Sequence, residues 1–158
     1  MRFRMIDQIV EVDPGVRLTA RKTLRAGEEY LKDHFPKFPV MPGVLMLEAM
    51  FQAAMWLVRK SEDFASSVVV LKEVRAIKYA DFVEPGQVLT VEAEMVKEVG
   101  ETVVLKTRGT VDGSVAVSGR LVLERFRFAD RYPERSILDP CLSRRFRDEF
   151  NELCGQSD

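Results

Sequence analysis

Histidine, cysteine and tryptophan are scarce in this sequence: one His, two Cys and one Trp among 158 residues. Two thiols make neither a disulfide framework nor a complete zinc site, and Cys141 and Cys154 both fall in the C-terminal stretch, so they are read as free, with no metal expected. Neither sign of charge dominates, 24 Lys and Arg facing 25 Asp and Glu. Without a basic excess, a basic run or an aromatic-stacking motif, nothing points to nucleic acid as a partner. No apolar run reaches the roughly 20 residues that span a bilayer. The opening MRFRMIDQIVEV interleaves charged with apolar residues and lacks a signal peptide's apolar block and cleavage site. These absences predict a cytoplasmic protein with no membrane partner, and its length fits one domain with a real core.

What the chain does have is concentrated between Asp33 and Lys60. From Val44 to Val58 every residue is apolar except Glu48 and Gln52, so a helix there offers water no broad polar face and is expected to be wrapped on all sides. Glu48 and Gln52, four apart, share one edge of it. A carboxylate in apolar surroundings is costly to desolvate, which makes Glu48 a candidate acid. Just before the helix lies the only histidine, His34, in a loop stiffened by Pro36, Pro39 and Pro42. Pro42 is expected at the first helical position, leaving the Gly43 N–H uncapped at the positive end of the helix dipole, where negative charge can develop. Each feature has a plainer reading: Glu48 as a satisfied core carboxylate, His34 as a structural imidazole, Gly43 as a packing residue, the Met and Phe positions as core. Their combination within one short segment favours chemistry.

Around this segment the pattern is strands. Residues 3 to 12 and 16 to 25 alternate about Asp13-Pro14-Gly15 and read as a hairpin. Lys60 to Ser67 is a polar connector, and Val68 to Tyr79 is a strand whose VVVL start reads as buried on both faces. After Glu84-Pro85-Gly86, residues 87 to 99 alternate, with Leu89, Val91, Ala93 and Met95 on one side. Thr102 to Val111 and Ser114 to Phe128 follow, joined by Asp112-Gly113, a strong hairpin signal. Strands that each have one apolar face can curl as a single sheet around the buried helix. A lone copy would leave half of that arrangement open, and a two-fold dimer joining sheets edge to edge would close it. In residues 129 to 158, Pro133 and Pro140 are expected to break the chain. Leu142, Phe146, Phe150 and Leu153 then line one face of an amphipathic helix, with Arg144, Arg145, Arg147 and Asp148 outside. It reads as a packing or oligomer-contact helix, with a basic carrier-docking surface as the alternative.

HFPxxPVMPGVLxxEAxxQ, from His34 to Gln52, resembles the signature of the FabZ/FabA-type 3-hydroxyacyl-[acyl-carrier-protein] dehydratases of the hot-dog superfamily, and FVEPGQVLTV, from Phe82 to Val91, resembles their later turn and strand. The similarity covers about residues 1 to 126. It implies an α+β hot-dog fold, a curved antiparallel sheet wrapped around one long central helix, over 1–128, with 129–158 as a C-terminal helical extension. It also implies that His34 takes a proton from C2, that Glu48 protonates the departing hydroxyl, and that the Gly43 N–H polarises the thioester carbonyl, with Phe35, Pro42, Val44 and Gln52 around the substrate. Met46, Phe51, Met55 and Phe82 are the expected acyl-tunnel lining, and no cofactor is needed. Glu48 and Gln52 match the FabZ branch. Lys37 stands where the family has Gly, and Ala80 and Asp81 stand where relatives often carry a basic pair.

The activity so implied is reversible dehydration of a (3R)-3-hydroxyacyl thioester on acyl carrier protein, or on coenzyme A, to the trans-2-enoyl form in fatty acid biosynthesis. The implied assembly is a homodimer with shared active sites, His34 of one copy facing Glu48 of the other, or a trimer of such dimers. A hot-dog acyl thioesterase and a non-catalytic acyl-thioester binding subunit are the alternatives.

Overall fold

The computed structural model describes residues 3–34 and 36–155. Strands β1 (Gln8–Asp13) and β2 (Arg17–Thr23) pair antiparallel about the Asp13-Pro14-Gly15 turn, where Gly15 has a φ of 80° that a side chain would disfavour. A short 3-10 turn, Glu29–Lys32, leads to the His34 loop, and helix α1 follows over Gly43–Ser61. Then come β3 (Val68–Tyr79), β4 (Val88–Val99), β5 (Thr102–Val111) and β6 (Ser114–Phe126). The six strands form one antiparallel sheet in the order β1-β2-β4-β5-β6-β3. Asp112 and Gly113, with φ of 50° and 82°, make the two-residue turn between β5 and β6. Helix α1 packs against this sheet, and Leu18, Ala20, Leu89, Val91, Ala93 and Leu105 are fully buried beneath it. The alternation expected for β4 is thus the one observed.

Three expectations are corrected. The VVVL start of β3 is not buried on both faces: β3 is an edge strand, and Val70 and Leu71 are 41% and 36% exposed. Residues 3 to 7 are not strand: the Phe3 carbonyl and the Met5 N–H bond to Gln52 of α1, and the backbone joins β2 only from Asp7, whose N–H donates to the Arg21 carbonyl at 2.8 Å. Pro140 does not break the C-terminal helix. Helix α3 runs over Leu138–Leu153 with Pro140 in its first turn, where no intrahelical N–H is needed. Helix α1 is open along one side in the single chain, as expected of a lone copy. Val44, Leu47, Glu48, Phe51 and Met55, spaced three and four apart, form a stripe that is half-buried or, at Val44, exposed.

The far end of α1 is covered by the C-terminal segment. A short helix, α2 (Phe128–Arg131), and a 3-10 turn, Pro133–Arg135, lead into α3. Trp56 meets the rings of Phe146 and Phe150, each at 6.0 Å, and Phe64 meets Phe150 at 5.7 Å. The guanidinium of Arg59, buried near the end of α1, lies 3.7 Å from the centre of the Phe146 ring and donates to the Ser66 carbonyl at 3.0 Å. Burial holds the Arg59 guanidinium down to about 10. After α1, Asp63 and Phe64 both take left-handed φ, 51° and 61°. That costs on the order of 1 kcal/mol each. Ser143 Oγ donates to the Phe64 carbonyl at 2.9 Å, and Arg147 Nη1 to the Asp63 carboxylate at 2.8 Å, so α3 holds the turn it packs on.

Candidate active site

The loop that carries His34 is fixed at both ends. The His34 N–H donates to the Tyr30 carbonyl at 3.2 Å, and on the return the Met41 N–H donates to the Val83 carbonyl at 2.9 Å. Beneath its start, Lys22 is 5% exposed with its ammonium 2.9 Å from Glu28, and the Tyr30 hydroxyl donates to the same carboxylate. Burial alone would raise the Glu28 carboxyl; hydrogen bonds from Tyr30 and Lys22 outweigh it and hold the group below its ordinary range. Burial, reinforced by Glu28, pushes the Tyr30 phenol well above its usual range. The cluster anchors the 3-10 turn from which the loop departs.

His34 Nδ1 lies 3.1 Å from the Val40 carbonyl oxygen. A carbonyl only accepts, so Nδ1 carries the proton, and in the neutral ring Nε2 is the basic nitrogen. Pro42 is not the first helical residue as expected. Its ψ of 140° makes it the N-cap, and Gly43 begins α1. The Gly43 N–H has no acceptor among the described residues, and sits at the positive end of the helix. His34, Gly43, Met46, Tyr79 and Phe82 share the walls of a cavity of about 380 Å³. Here an imidazole and the first residue of a helix line one space, an arrangement with the parts needed to take a proton next to a polarised carbonyl. A cavity of about 480 Å³ over β1, β2, β4 and β5 is larger, but none of the expected site residues lines it.

Glu48 is half-buried, not sunk in the core, and opens on a different cavity of about 150 Å³ that it shares with Gln52, Met55, Trp56, Arg4 and Glu149. It accepts a hydrogen bond from Gln52 Nε2 at 3.0 Å. Within one chain, therefore, His34 and Glu48 line separate cavities. The expected tunnel residues divide likewise: Met46 and Phe82 lie with His34, Met55 lies with Glu48, and Phe51 lines neither. Val44 is 69% exposed on the open stripe, and Phe35 lies outside the described residues. Lys37 is exposed and its φ is not positive, so a side chain is accommodated where the family has Gly. No group of three or more His, Cys, Asp or Glu is gathered to hold a metal among the described residues, and no described helix is long and apolar enough to cross a membrane.

Sequence reasoning missed Tyr79, whose ring lies against Gly43: a Cβ built on Gly43 would stand 3.0 Å from Tyr79 Cε1. An aromatic at the end of a strand gives no sign of which loop it will reach. Arg4 and Glu149 were also missed, since 145 residues separate them in sequence.

One long helix packed against a single antiparallel sheet, with an imidazole loop at the helix start, is the hot-dog class of α+β protein. Solved structures agree on the fold: the dehydratase heterocomplex ApeI:P from Xenorhabdus doucetiae superposes with a TM-score of 0.63 at 20% identity, covering 77% of this chain and 82% of that one. A Streptococcus mutans protein, smu.793, solved bound to acetyl CoA, gives 0.61 at 15% identity over 80% and 94%. The chain belongs to the FabA-like domain family, whose model matches residues 1–120, and within it to the FabZ-type 3-hydroxyacyl-[acyl-carrier-protein] dehydratases. It is 40% identical to FabZ of Ruminiclostridium cellulolyticum over 120 residues, 75% of this chain and 84% of that one. It is also 40% identical to FabZ of Myxococcus xanthus over 124 residues, 76% and 80% of the two chains.

Proposed function

We propose that this chain dehydrates (3R)-3-hydroxyacyl thioesters on acyl carrier protein to trans-2-enoyl thioesters in fatty acid biosynthesis, in the cytoplasm, from a domain spanning 1–128 with 129–158 as an extension. The observation that carries the reading is the His34 ring, its Nδ1 bound to the Val40 carbonyl, sharing a cavity with the Gly43 N–H. The thioester carbonyl oxygen accepts from Gly43, which acidifies the C2 proton. His34 Nε2 takes that proton, the C2 electron pair forms the double bond, and the C3–O bond breaks as Glu48 protonates the hydroxyl to leave as water. The acyl chain lies along Met46 and Phe82.

Because His34 and Glu48 line separate cavities of one chain, the reading uses two copies. The open stripe of α1 and the exposed edge strand β3 are the surfaces a two-fold homodimer would close, bringing His34 of one copy to Glu48 of the other. A trimer of dimers is a further assembly of the same unit. The test is hydration and dehydration of an acyl-carrier thioester by wild type, His34→Ala and Glu48→Gln. Both variants should lose at least about a hundredfold in kcat, and co-refolding the two inactive variants should restore turnover. Wild-type rates in both variants, or release of free thiol in place of enoyl product, would refute the assignment.

A further inference from the structure

The candidate acid is tied to a part of the chain that the family model does not reach. Gln52, 7% exposed, uses its whole carboxamide: Oε1 accepts the Met5 N–H at 2.8 Å, and Nε2 donates to the Phe3 carbonyl at 3.1 Å and to Glu48 at 3.0 Å. An N–H only donates and a carbonyl only accepts, so the backbone on either side of Arg4 fixes which end of the amide faces Glu48. Arg4 itself is clasped by α3, with Nε 3.1 Å from Glu149 and Nη2 2.8 Å from Glu152. The Glu149 side chain is 12% exposed, so this is more than a surface pair. Phe146 and Glu149 of α3, together with Arg4, also wall the cavity on which Glu48 opens. The matched family region ends at residue 120, so α3 lies beyond it.

We infer that α3 acts as a positioning element for the dehydration: through Glu149 and Glu152 it holds Arg4, and through the Phe3–Met5 backbone and Gln52 it sets the orientation of Glu48. This rests on the proposed role of Glu48. Arg4 and the two glutamates are positioning residues and touch no substrate. A carboxyl that swings away from the leaving oxygen still leaves substrate binding to the His34 cavity intact, so the expected signature is a loss in kcat with KM preserved.

Arg4→Ala and the pair Glu149→Gln/Glu152→Gln should each lower kcat about tenfold, with KM within about twofold. Adding Arg4→Ala to Gln52→Leu should cause no further loss, because both act along one line. Reversing the charges, Arg4→Glu with Glu149→Arg and Glu152→Arg, should recover most of the rate. A merely structural clasp would instead lower Tm and leave kcat per folded molecule unchanged in Arg4→Ala; that result overturns the inference. Glu48→Gln measured alongside separates the two levels. If it turns over normally, the reading of Glu48 fails; if it is inactive while Arg4→Ala keeps full kcat, only the present inference fails.

Discussion

Gly43→Ala separates the chemistry of the helix start from its packing. The substitution keeps the N–H and adds one methyl group, at 3.0 Å from Tyr79 Cε1, 3.1 Å from Cζ and 3.3 Å from Cδ1. Carbon atoms prefer about 3.5–4.0 Å, so the ring must retreat by roughly half an ångström to one ångström. Tyr79 is 50% exposed and can swing outward, which keeps the stability cost near that of a surface change, about 0.5 kcal/mol or less. The helix preference of Ala over Gly, at most about 1 kcal/mol and smaller at a first position, offsets it. Tm should therefore move by no more than about 2 °C. Activity should respond far more, because the new methyl and the displaced ring narrow the space between the Gly43 N–H and His34. A shift of about 1 Å in the reacting carbonyl is worth up to a hundredfold, so kcat/KM should fall about 10- to 100-fold. The assay is the ultraviolet absorbance of the conjugated enoyl thioester, beside a thermal melt. Adding Tyr79→Ser should restore part of the rate by freeing the space. Full activity in Gly43→Ala would refute the placement of the thioester carbonyl at this N–H, and a large fall in Tm with an unchanged rate per folded molecule would reduce Gly43 to a packing residue.

Phe150→Ala removes a ring that is 3% exposed and packed on Trp56 and Phe64. It should cost about 3–5 kcal/mol in urea unfolding. A separate early transition, in place of one shifted transition, would show that α3 melts independently of the sheet. Glu28→Gln tests the cluster under the His34 loop. Its folded carboxyl lies below the ordinary 4.5, so the ionised group adds stability that is complete above 4.5 and lost as pH falls through the folded value. Thermal melts from neutral to acid pH should slope less steeply in the variant than in wild type, and equal slopes would count against the cluster. Gly109→Ala would place a Cβ 2.8 Å from both Leu89 Cδ1 and Val117 Cγ1 in the core. Overpacking of this kind should cost about 1–3 kcal/mol by urea denaturation.

Local chemistry explains which parts of this molecule could be read from the sequence. Alternation in β4 and the Asp112-Gly113 turn are properties of adjacent residues, and both stand where periodicity placed them. The long apolar helix was legible for the same reason, as was the proximity of His34 and Gly43, held together by the short Pro-rich loop. Burial on two faces was misjudged for β3, because an apolar run does not say whether a strand ends at the centre or the edge of a sheet. That a lone copy leaves α1 partly open was legible as well, because a sheet whose strands have one apolar face covers only one side of a helix that is apolar all round. The links from Arg4 to Glu149 and from Gln52 to Phe3 and Met5 left no trace in spacing. Each joins segments distant in the chain, and a lone Arg or Gln carries no pattern that names its partner. The motif therefore named the groups proposed to react, while the residues proposed to orient them came only from three-dimensional packing. A substitution such as Arg4→Ala, outside the motif, is for that reason the sharper test of how the site is built.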